Sequence, residues 1–291
     1  MPCSENMSDC LYVIGNGFDL MHKMPTSYGD FLSWLLTHNR LDDVFELQSV
    51  FHEQKDGEYV LWSDFETALG NYDIEAAAEW DIPSLYITEE IVGNQRITVG
   101  EPFYLDVSLN TIVNNAFGQW VKSIPIATER KISLPKDALF LSFNYTDTLE
   151  ALYSIIPENV IHIHGRISLG EVPMVGHRNY QDPLLAVKDD VYFREKNERI
   201  QHICDMNDLF KPIEDIIKRH NDFFSNLKDV GVIEILGHSC NEIDRAYFRE
   251  IRSVVSDHVQ WIFHYHTNND KKNMLSMVDE LSIKDFDLKF I

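Results

Sequence analysis

Residues 11–31, LYVIGNGFDLMHKMPTSYGDF, decide the fold. Four apolar residues, 11–14, run directly into the turn Gly15-Asn16-Gly17. An apolar run that ends in a glycine turn is typical of a buried parallel strand, because glycine tolerates backbone conformations that other residues avoid. In open α/β sheets, ligands bind at the carboxyl ends of such strands, where turn N–H groups face phosphate. The stretch therefore predicts an α/β sheet with a nucleotide pocket beside its first strand.

The rest of the chain alternates apolar runs with helical patterns. Further strands are predicted at 138–143, 160–164, 173–175, 231–236, 259–265 and 286–291. Between them, helical spacing is found at 147–156, 205–227 and 270–281, and Ser239 with Glu242 forms a capping-box pattern that predicts another helix. This alternation predicts a single α/β domain over 1–291, with a doubly wound, mainly parallel, Rossmann-type sheet.

Residues 40–132 interrupt this alternation. Their strand signal is weak, whereas 59–69 and 109–121 carry apolar residues at helical spacing, and 81–106 looks like loop. The pattern predicts a mostly helical insertion within the α/β domain. Its role as a lid or as an oligomer contact stays open at this stage.

Composition narrows the class of protein. The chain has 47 Asp and Glu against 25 Lys and Arg, a net charge of −22, which disfavours direct binding to nucleic acid or to anionic membranes. The four cysteines are scattered without a CxxC pair, so neither a zinc ribbon nor a disulfide framework is expected. No basic leader and no apolar run of about 18 residues is present, which predicts a soluble, cytoplasmic protein.

Polar residues follow four of the predicted strands at the point where each strand ends. These strand ends are Gly15-Asn16-Gly17, Asn144-Tyr145-Thr146-Asp147, His164-Gly165 and Gly237-His238-Ser239. In a doubly wound sheet the carboxyl ends of parallel strands share one edge, so the four loops are expected to line one crevice.

The glycine turn differs from a dinucleotide fingerprint. Leu20 occupies the third glycine position of GxGxxG, and no second strand with a ribose-binding acid follows. A hydride-transferring dehydrogenase is therefore disfavoured. Asp19 would repel a pyrophosphate, so it is expected to face a ribose hydroxyl or to cap a helix.

Two residues carry the predicted chemistry. Asn144 both donates and accepts hydrogen bonds, which suits a ribose hydroxyl, a carboxamide or a water. His164 titrates near neutral pH when unperturbed and is a candidate general base. His162, His177 and His238 are read either as packed structural residues or as further polar contacts, and their spacing predicts no metal site.

Six motifs, taken in order, carry a resemblance to a known family. The motifs IGNGFDLMHKMPTSYGDF, LWSDFE, LSFNYTDTLEALY, IHIHG, MVGH and ILGHS resemble the AbiH family of bacteriophage abortive-infection proteins over nearly the whole chain. The same order is similar to sirtuin-like NAD-binding domains, which carry a Gly-Ala-Gly-x-Ser turn, an Asn, a catalytic His-Gly and a late Gly-x-Ser.

The sirtuin-like resemblance implies NAD binding with the nicotinamide ribose beside Asn144 and His164. It implies catalytic roles for Asn144, His164 and Asp147, and binding roles for Gly15, Asn16, Gly17, Phe18, Asp19, Tyr145, Gly165, Gly237, His238 and Ser239. Three departures stand out: Asn16 replaces a small residue, Thr146 holds the aligned Asp position with Asp147 one residue later, and the zinc module of protein deacylases is missing.

The resulting prediction is an antiphage effector that binds NAD, hydrolyses it to nicotinamide and ADP-ribose, and needs no metal. A non-catalytic nucleotide-sensing module that signals to a partner is the first alternative, and a nuclease or nucleotide hydrolase is the second. The expected partners are NAD or a related nucleotide, a partner protein or phage trigger, and further copies of the chain in a homo-oligomer.

Overall fold

The architecture is taken from a computed structural model that describes residues 9–51, 54–55, 58–62, 64–71, 88–92, 95–99, 109–186, 199–200, 203–204 and 206–291. The strands are β1 Cys10–Ile14, β2 Gln54–Lys55, β3 Glu58–Tyr59, β4 Thr88–Val92, β5 Gln95–Val99, β6 Leu139–Ser142, β7 Val160–His162, β8 Val232–Leu236, β9 Gln260–Tyr265 and β10 Phe286–Phe290. The α-helices are α1 Asn16–Met21, α2 Tyr28–Thr37, α3 Leu41–Val50, α4 Phe65–Gly70, α5 Leu109–Ser123, α6 Thr148–Tyr153, α7 Pro183–Ala186, α8 Ile213–Arg219, α9 Asn221–Ser225, α10 Arg245–Val254 and α11 Asn268–Leu281.

Six strands form one all-parallel sheet in the order β10-β9-β8-β1-β6-β7. The chain moves outward from β1 to β6 and β7, then returns to the other side of β1 for β8, β9 and β10. Strand β1 therefore lies at the point where the winding direction reverses, which is where open α/β sheets bind ligands. The predicted doubly wound α/β fold is confirmed.

Alternate residues of the central strands bury opposite faces of the sheet. Leu11 and Val13 join a large core that includes Ile233. Tyr12 and Ile14 join a second core on the other face with Phe140. A strand that is apolar at every position, as β1 is, requires covered faces on both sides, which explains its continuous apolar run.

A third core belongs to the helices that follow β1. Phe31 of α2, Phe65 of α4, and Phe117 and Trp120 of α5 pack together there. The predicted insertion over 40–132 contains α4 and α5, whereas α2 precedes it. The insertion also contains two antiparallel pairs, β2 with β3 and β4 with β5. The expectation of loop is therefore wrong at 88–92 and 95–99, while 81–87 and 100–106 lie outside the described residues.

Other element boundaries differ from the predicted ones for local reasons. The predicted helix over 205–227 is divided, since α8 begins only after Pro212 and ends at Arg219. Residues 173–175 form no strand, and pairing occurs instead as a single bridge at His177. Ser27 caps α2 through a capping box with Asp30.

No helix in the described part of the chain combines the length and apolar character needed to cross a membrane. Cys204 and Cys240 carry free thiols, whereas Cys10 is disulfide-bonded. The spacing of the cysteines in the sequence does not predict the disulfide bond at Cys10.

Candidate functional site

The four predicted strand-end loops line one cavity of about 750 Å³. This volume falls in the range of pockets that hold a small molecule or a cofactor. The predicted site residues that line the cavity are Gly15, Asn16, Gly17, Asp19, Asn144, Tyr145, His164, Gly237, His238 and Ser239.

The two glycine loops pack against each other at the base of the cavity. A Cβ atom on Gly15 would lie 2.6 Å from the Gly237 carbonyl oxygen, and one on Gly237, whose φ is +68°, would lie 2.1 Å from the Phe18 nitrogen. The N–H groups of Gly15 and Gly17 donate to the Leu236 and Gly237 carbonyls. The glycines therefore join two loops, and these two N–H groups do not face the cavity as a phosphate cradle.

Asp19 and Asn144 form the polar floor beside this turn. Asp19 is buried, and its Oδ2 accepts a hydrogen bond of 2.5 Å from the Thr146 hydroxyl. Burial raises the pKa of Asp19 and the hydrogen bond from Thr146 opposes that rise. Asn144 is buried and lies close enough to Asp19 to lower its pKa, yet neither Asn144 amide atom nor Asp19 Oδ1 makes a hydrogen bond of good geometry. Buried polar atoms without partners are costly, so the floor offers donors and acceptors to a ligand.

His164 lies at the cavity wall as a neutral ring. Burial lowers its pKa to about 3, and the positive charge of Lys211 contributes to the fall. The expectation that His164 titrates near neutral pH is therefore wrong, because its charged form is excluded from a buried site. The ring hydrogen-bonds the backbone of Phe143, while its Nε2 has no hydrogen-bond partner.

Asp244 lies between His164 and His238. Its Oδ2 is 3.4 Å from His238 Nε2, and its Oδ1 is 3.7 Å from His164 Nε2. His238 Nδ1 accepts the Cys240 N–H at 2.9 Å, which leaves the proton of that ring on Nε2, facing Asp244. Asp244 Oδ1 has no hydrogen-bond partner. Two unpartnered acceptors, Asp244 Oδ1 and His164 Nε2, thus lie side by side.

A buried ion pair supports this arrangement. Lys211 Nζ lies 2.5 Å from Glu66 Oε1, and the Lys211 side chain is fully buried. Burial raises the pKa of Glu66 to about 7 although Lys211 opposes the rise. Burial would also raise the pKa of Asp244, but the charge of Lys211 and the hydrogen bond from His238 outweigh it and lower that pKa below its usual value. Asp244 is therefore a carboxylate.

Helix α2 and two helices of the insertion, α4 and α5, close one side of the cavity. Tyr28 of α2, Glu66 of α4 and Phe117 of α5 line it, together with Tyr145 from the strand-end loop. The Tyr145 ring packs edge-on against Phe117, and its hydroxyl donates to the Met174 carbonyl oxygen. An aromatic wall opposite a polar floor suits a flat ring that carries polar substituents.

Three predicted site residues lie away from the cavity lining. Phe18 packs against His22 and Tyr153, and Gly165, with φ +94°, turns the chain after β7. Asp147 forms an ion pair of 2.6 Å with Arg166, which also lies 3.3 Å from Glu150. The structure gives Asp147 a charge partner in place of the ligand contact that was predicted.

His162 and His177 have structural partners. His162 Nε2 lies 2.9 Å from Glu150 Oε1, so His162 joins the cluster of Asp147, Glu150 and Arg166. The guanidinium of Arg166 supplies the positive charge of that cluster. His177 Nε2 donates to the Met206 carbonyl at 2.9 Å, and His177 is not among the residues that line the large cavity.

Sequence reasoning missed four residues of the site: Asp244, Glu66, Lys211 and His264. Asp244 follows the Gly237 loop, and the capping pattern at Ser239 concealed it by predicting a helix where the chain remains a loop. The observed helix α10 begins at Arg245 with Asp244 as its N-cap residue. Lys211 and Glu66 are 145 residues apart, so no local pattern indicates that they pair.

The fold and the site together define a doubly wound α/β protein with a ligand cavity at its topological switch point. The model of the bacteriophage abortive infection AbiH family matches residues 11–265, and the chain belongs to that family. The predicted family is thus confirmed, and its role is in bacteriophage abortive infection. No curated protein and no solved structure matches the chain.

Proposed function

We propose that the protein binds NAD in the cavity and hydrolyses it to nicotinamide and ADP-ribose. The observation that carries this proposal is the pair of unpartnered acceptors, His164 Nε2 and Asp244 Oδ1, 3.7 Å apart at the cavity wall. A water molecule has two hydrogens to donate, one to each acceptor, and its oxygen lone pairs then face the cavity. Two acceptors held by a buried framework therefore suit a nucleophilic water.

The charge of the cavity suits the reaction. Among the described lining residues, the charged side chains are carboxyl groups, with Asp19, Glu66 and Asp244 nearest the polar floor, and none is a lysine or an arginine. NAD carries a positive charge on its nicotinamide ring, and cleavage of the glycosidic bond passes through a ribose cation. Carboxylates in a site of low dielectric stabilise such a cation before and during bond cleavage.

The proposed step needs few groups. The bond between C1′ of the ribose and the nicotinamide nitrogen breaks, and its electron pair returns to the ring, which leaves neutral and needs no general acid. Water, held by hydrogen bonds to Asp244 Oδ1 and His164 Nε2, forms the new bond to C1′ and releases its proton to solvent water as that bond forms. Asn144, with both amide atoms unpartnered, would hold the ribose or the carboxamide in position.

The test is to incubate the purified protein with NAD and to quantify free nicotinamide by chromatography. We expect release by the wild type, and a rate at least about 100-fold lower in Asn144→Ala and His164→Ala. His258→Ala, at an exposed histidine of the turn before β9, is the matched control and is expected to keep the wild-type rate.

Calorimetry with NAD separates the alternatives. Loss of release with retained binding in the variants supports hydrolysis at this site. Tight binding by the wild type without any release, at high protein concentration, contradicts hydrolysis and supports a nucleotide sensor. Absence of both binding and release contradicts the NAD proposal altogether.

A further inference from the structure

A second histidine and carboxylate pair lies at the other side of the cavity. His264 Nε2 is 2.7 Å from Glu234 Oε1, which joins the neighbouring strands β9 and β8. Tyr12 of β1 pairs with Glu234 in the sheet register, and burial together with the Glu234 charge raises the pKa of Tyr12, so three adjacent strands meet at this carboxylate. A carboxylate at Nε2 holds the ring proton on that nitrogen and orients the ring.

The other nitrogen of this ring is unused within the protein. His264 lines the cavity, and its Nδ1 is buried without a hydrogen-bond partner. When the ring carries one proton and that proton is on Nε2, facing Glu234, Nδ1 is an acceptor. The atom is therefore matched to a ligand group that donates a hydrogen bond, such as a hydroxyl or an exocyclic amine.

The position of β9 in the sheet separates His264 from His164. His264 is the penultimate residue of β9 and His164 follows β7, and the strands β8, β1 and β6 lie between these two. Four inter-strand spacings of about 4.8 Å place the two strands about 19 Å apart. Both histidine side chains line the one cavity, so a ligand that contacts both of them extends across several strand ends, as a molecule with two linked halves does.

We propose that His264, oriented by Glu234, forms a subsite for the second nucleoside of a dinucleotide and accepts a hydrogen bond from its ribose hydroxyl or base amine. This inference rests on the proposed function, because it takes the nicotinamide ribose to occupy the end near His164. It assigns the substrate class as dinucleotides in preference to mononucleotides.

Two substitutions at His264 separate this subsite from a merely structural pair. His264→Gln places an amide near the former Nε2 position, so it preserves the contact to Glu234 and removes the acceptor at Nδ1. His264→Asn places its amide near the former Nδ1 position and gives up the contact to Glu234. His258→Ala serves again as the control, and urea unfolding verifies that each variant is folded.

The probes are NAD, ADP-ribose and nicotinamide mononucleotide, with affinities measured by calorimetry. We expect His264→Gln to weaken binding of NAD and ADP-ribose about tenfold, the loss of one hydrogen bond, and to leave nicotinamide mononucleotide unchanged. His264→Asn is expected to retain more affinity for NAD and ADP-ribose than His264→Gln.

Equal effects of His264→Gln on all three probes, or no effect on any, would overturn the subsite while the proposed function stands. If the wild type binds none of the probes, the proposed function fails together with this inference. A larger loss in His264→Asn than in His264→Gln would show that the pair with Glu234 is structural, and it would also overturn the subsite.

Discussion

Asp244 illustrates how single residues define this site. A buried carboxylate is costly unless hydrogen bonds or opposite charges compensate it. His238 supplies one hydrogen bond and Lys211 supplies positive charge, yet Oδ1 remains without a partner. Such an incompletely satisfied group in a cavity is typical of a functional site rather than of a packed core.

His164 also decides how stability depends on pH. Its pKa is about 3 in the folded protein and about 6.5 in an unfolded chain, so below pH 6.5 the unfolded chain takes up the proton more readily. The contribution of the neutral His164 ring to the free energy of unfolding is therefore fully present above pH 6.5, and it decreases as the pH drops from 6.5 toward 3. The fall is at most about 1.4 kcal/mol for each pH unit.

The prediction is tested against His164→Gln, which does not titrate. The free energy of unfolding, measured with urea at pH 7.5, 6, 5 and 4, should fall more steeply for the wild type than for the variant. Glu66, whose pKa is raised to about 7, has the opposite effect between pH 7 and 4.5, but it is common to both proteins and cancels in the difference. Parallel pH profiles would contradict a buried neutral His164.

At the scale of elements, the accuracy of sequence reasoning followed the strength of the hydrophobic pattern. Strands β1 and β8 were predictable because strands covered on both faces require apolar runs. Strands β4 and β5, TEEIV and QRITV, carry charged residues and no such run, so they were missed. The capping pattern at Ser239 predicted a helix there, and this prediction is wrong. Tertiary contacts hold the segment before α10 as a loop, and this loop places Asp244 at the cavity.

The contact between the β1 and β8 turns provides a test at this scale. Gly237→Ala combines a positive φ with a Cβ atom 2.1 Å from the Phe18 nitrogen, so the two turns must separate. We expect a loss of more than about 2 kcal/mol in the free energy of unfolding, measured with urea, and weaker nucleotide binding.

Gly170→Ala is the matched control for this change. Gly170 also has a positive φ, +81°, but a Cβ atom there meets nothing within 4 Å. Gly170→Ala should lower the free energy of unfolding by only about 1 kcal/mol, which is the cost of the backbone conformation alone. Its ligand binding should be unchanged. Equal losses in the two variants would show that the close packing of the turns contributes little.

At the scale of the molecule, the topology explains why the candidate site was partly visible in advance. The carboxyl ends of parallel strands lie at one edge of the sheet, so the sequence alone groups the polar residues that follow β1, β6, β7 and β8. Asp147 was grouped with them but pairs with Arg166 outside the cavity. Lys211 and Glu66 lacked any local signal, because their contact depends on how the helical insertion folds over the sheet.

The insertion also makes the cavity a property of the whole chain, since its helices α4 and α5, together with α2, complete the wall. A change on the polar floor should therefore abolish the biological role while the fold persists.

A host that expresses the wild type is expected to survive phage at low phage-to-cell ratios and to collapse at high ratios, as abortive infection requires. We expect Asn144→Ala to remove protection at low ratios. On the proposed function, infection should lower cellular NAD in the wild type and leave it unchanged in Asn144→Ala. Protection by Asn144→Ala equal to that of the wild type would separate the family role from this cavity and place the antiphage activity elsewhere on the molecule.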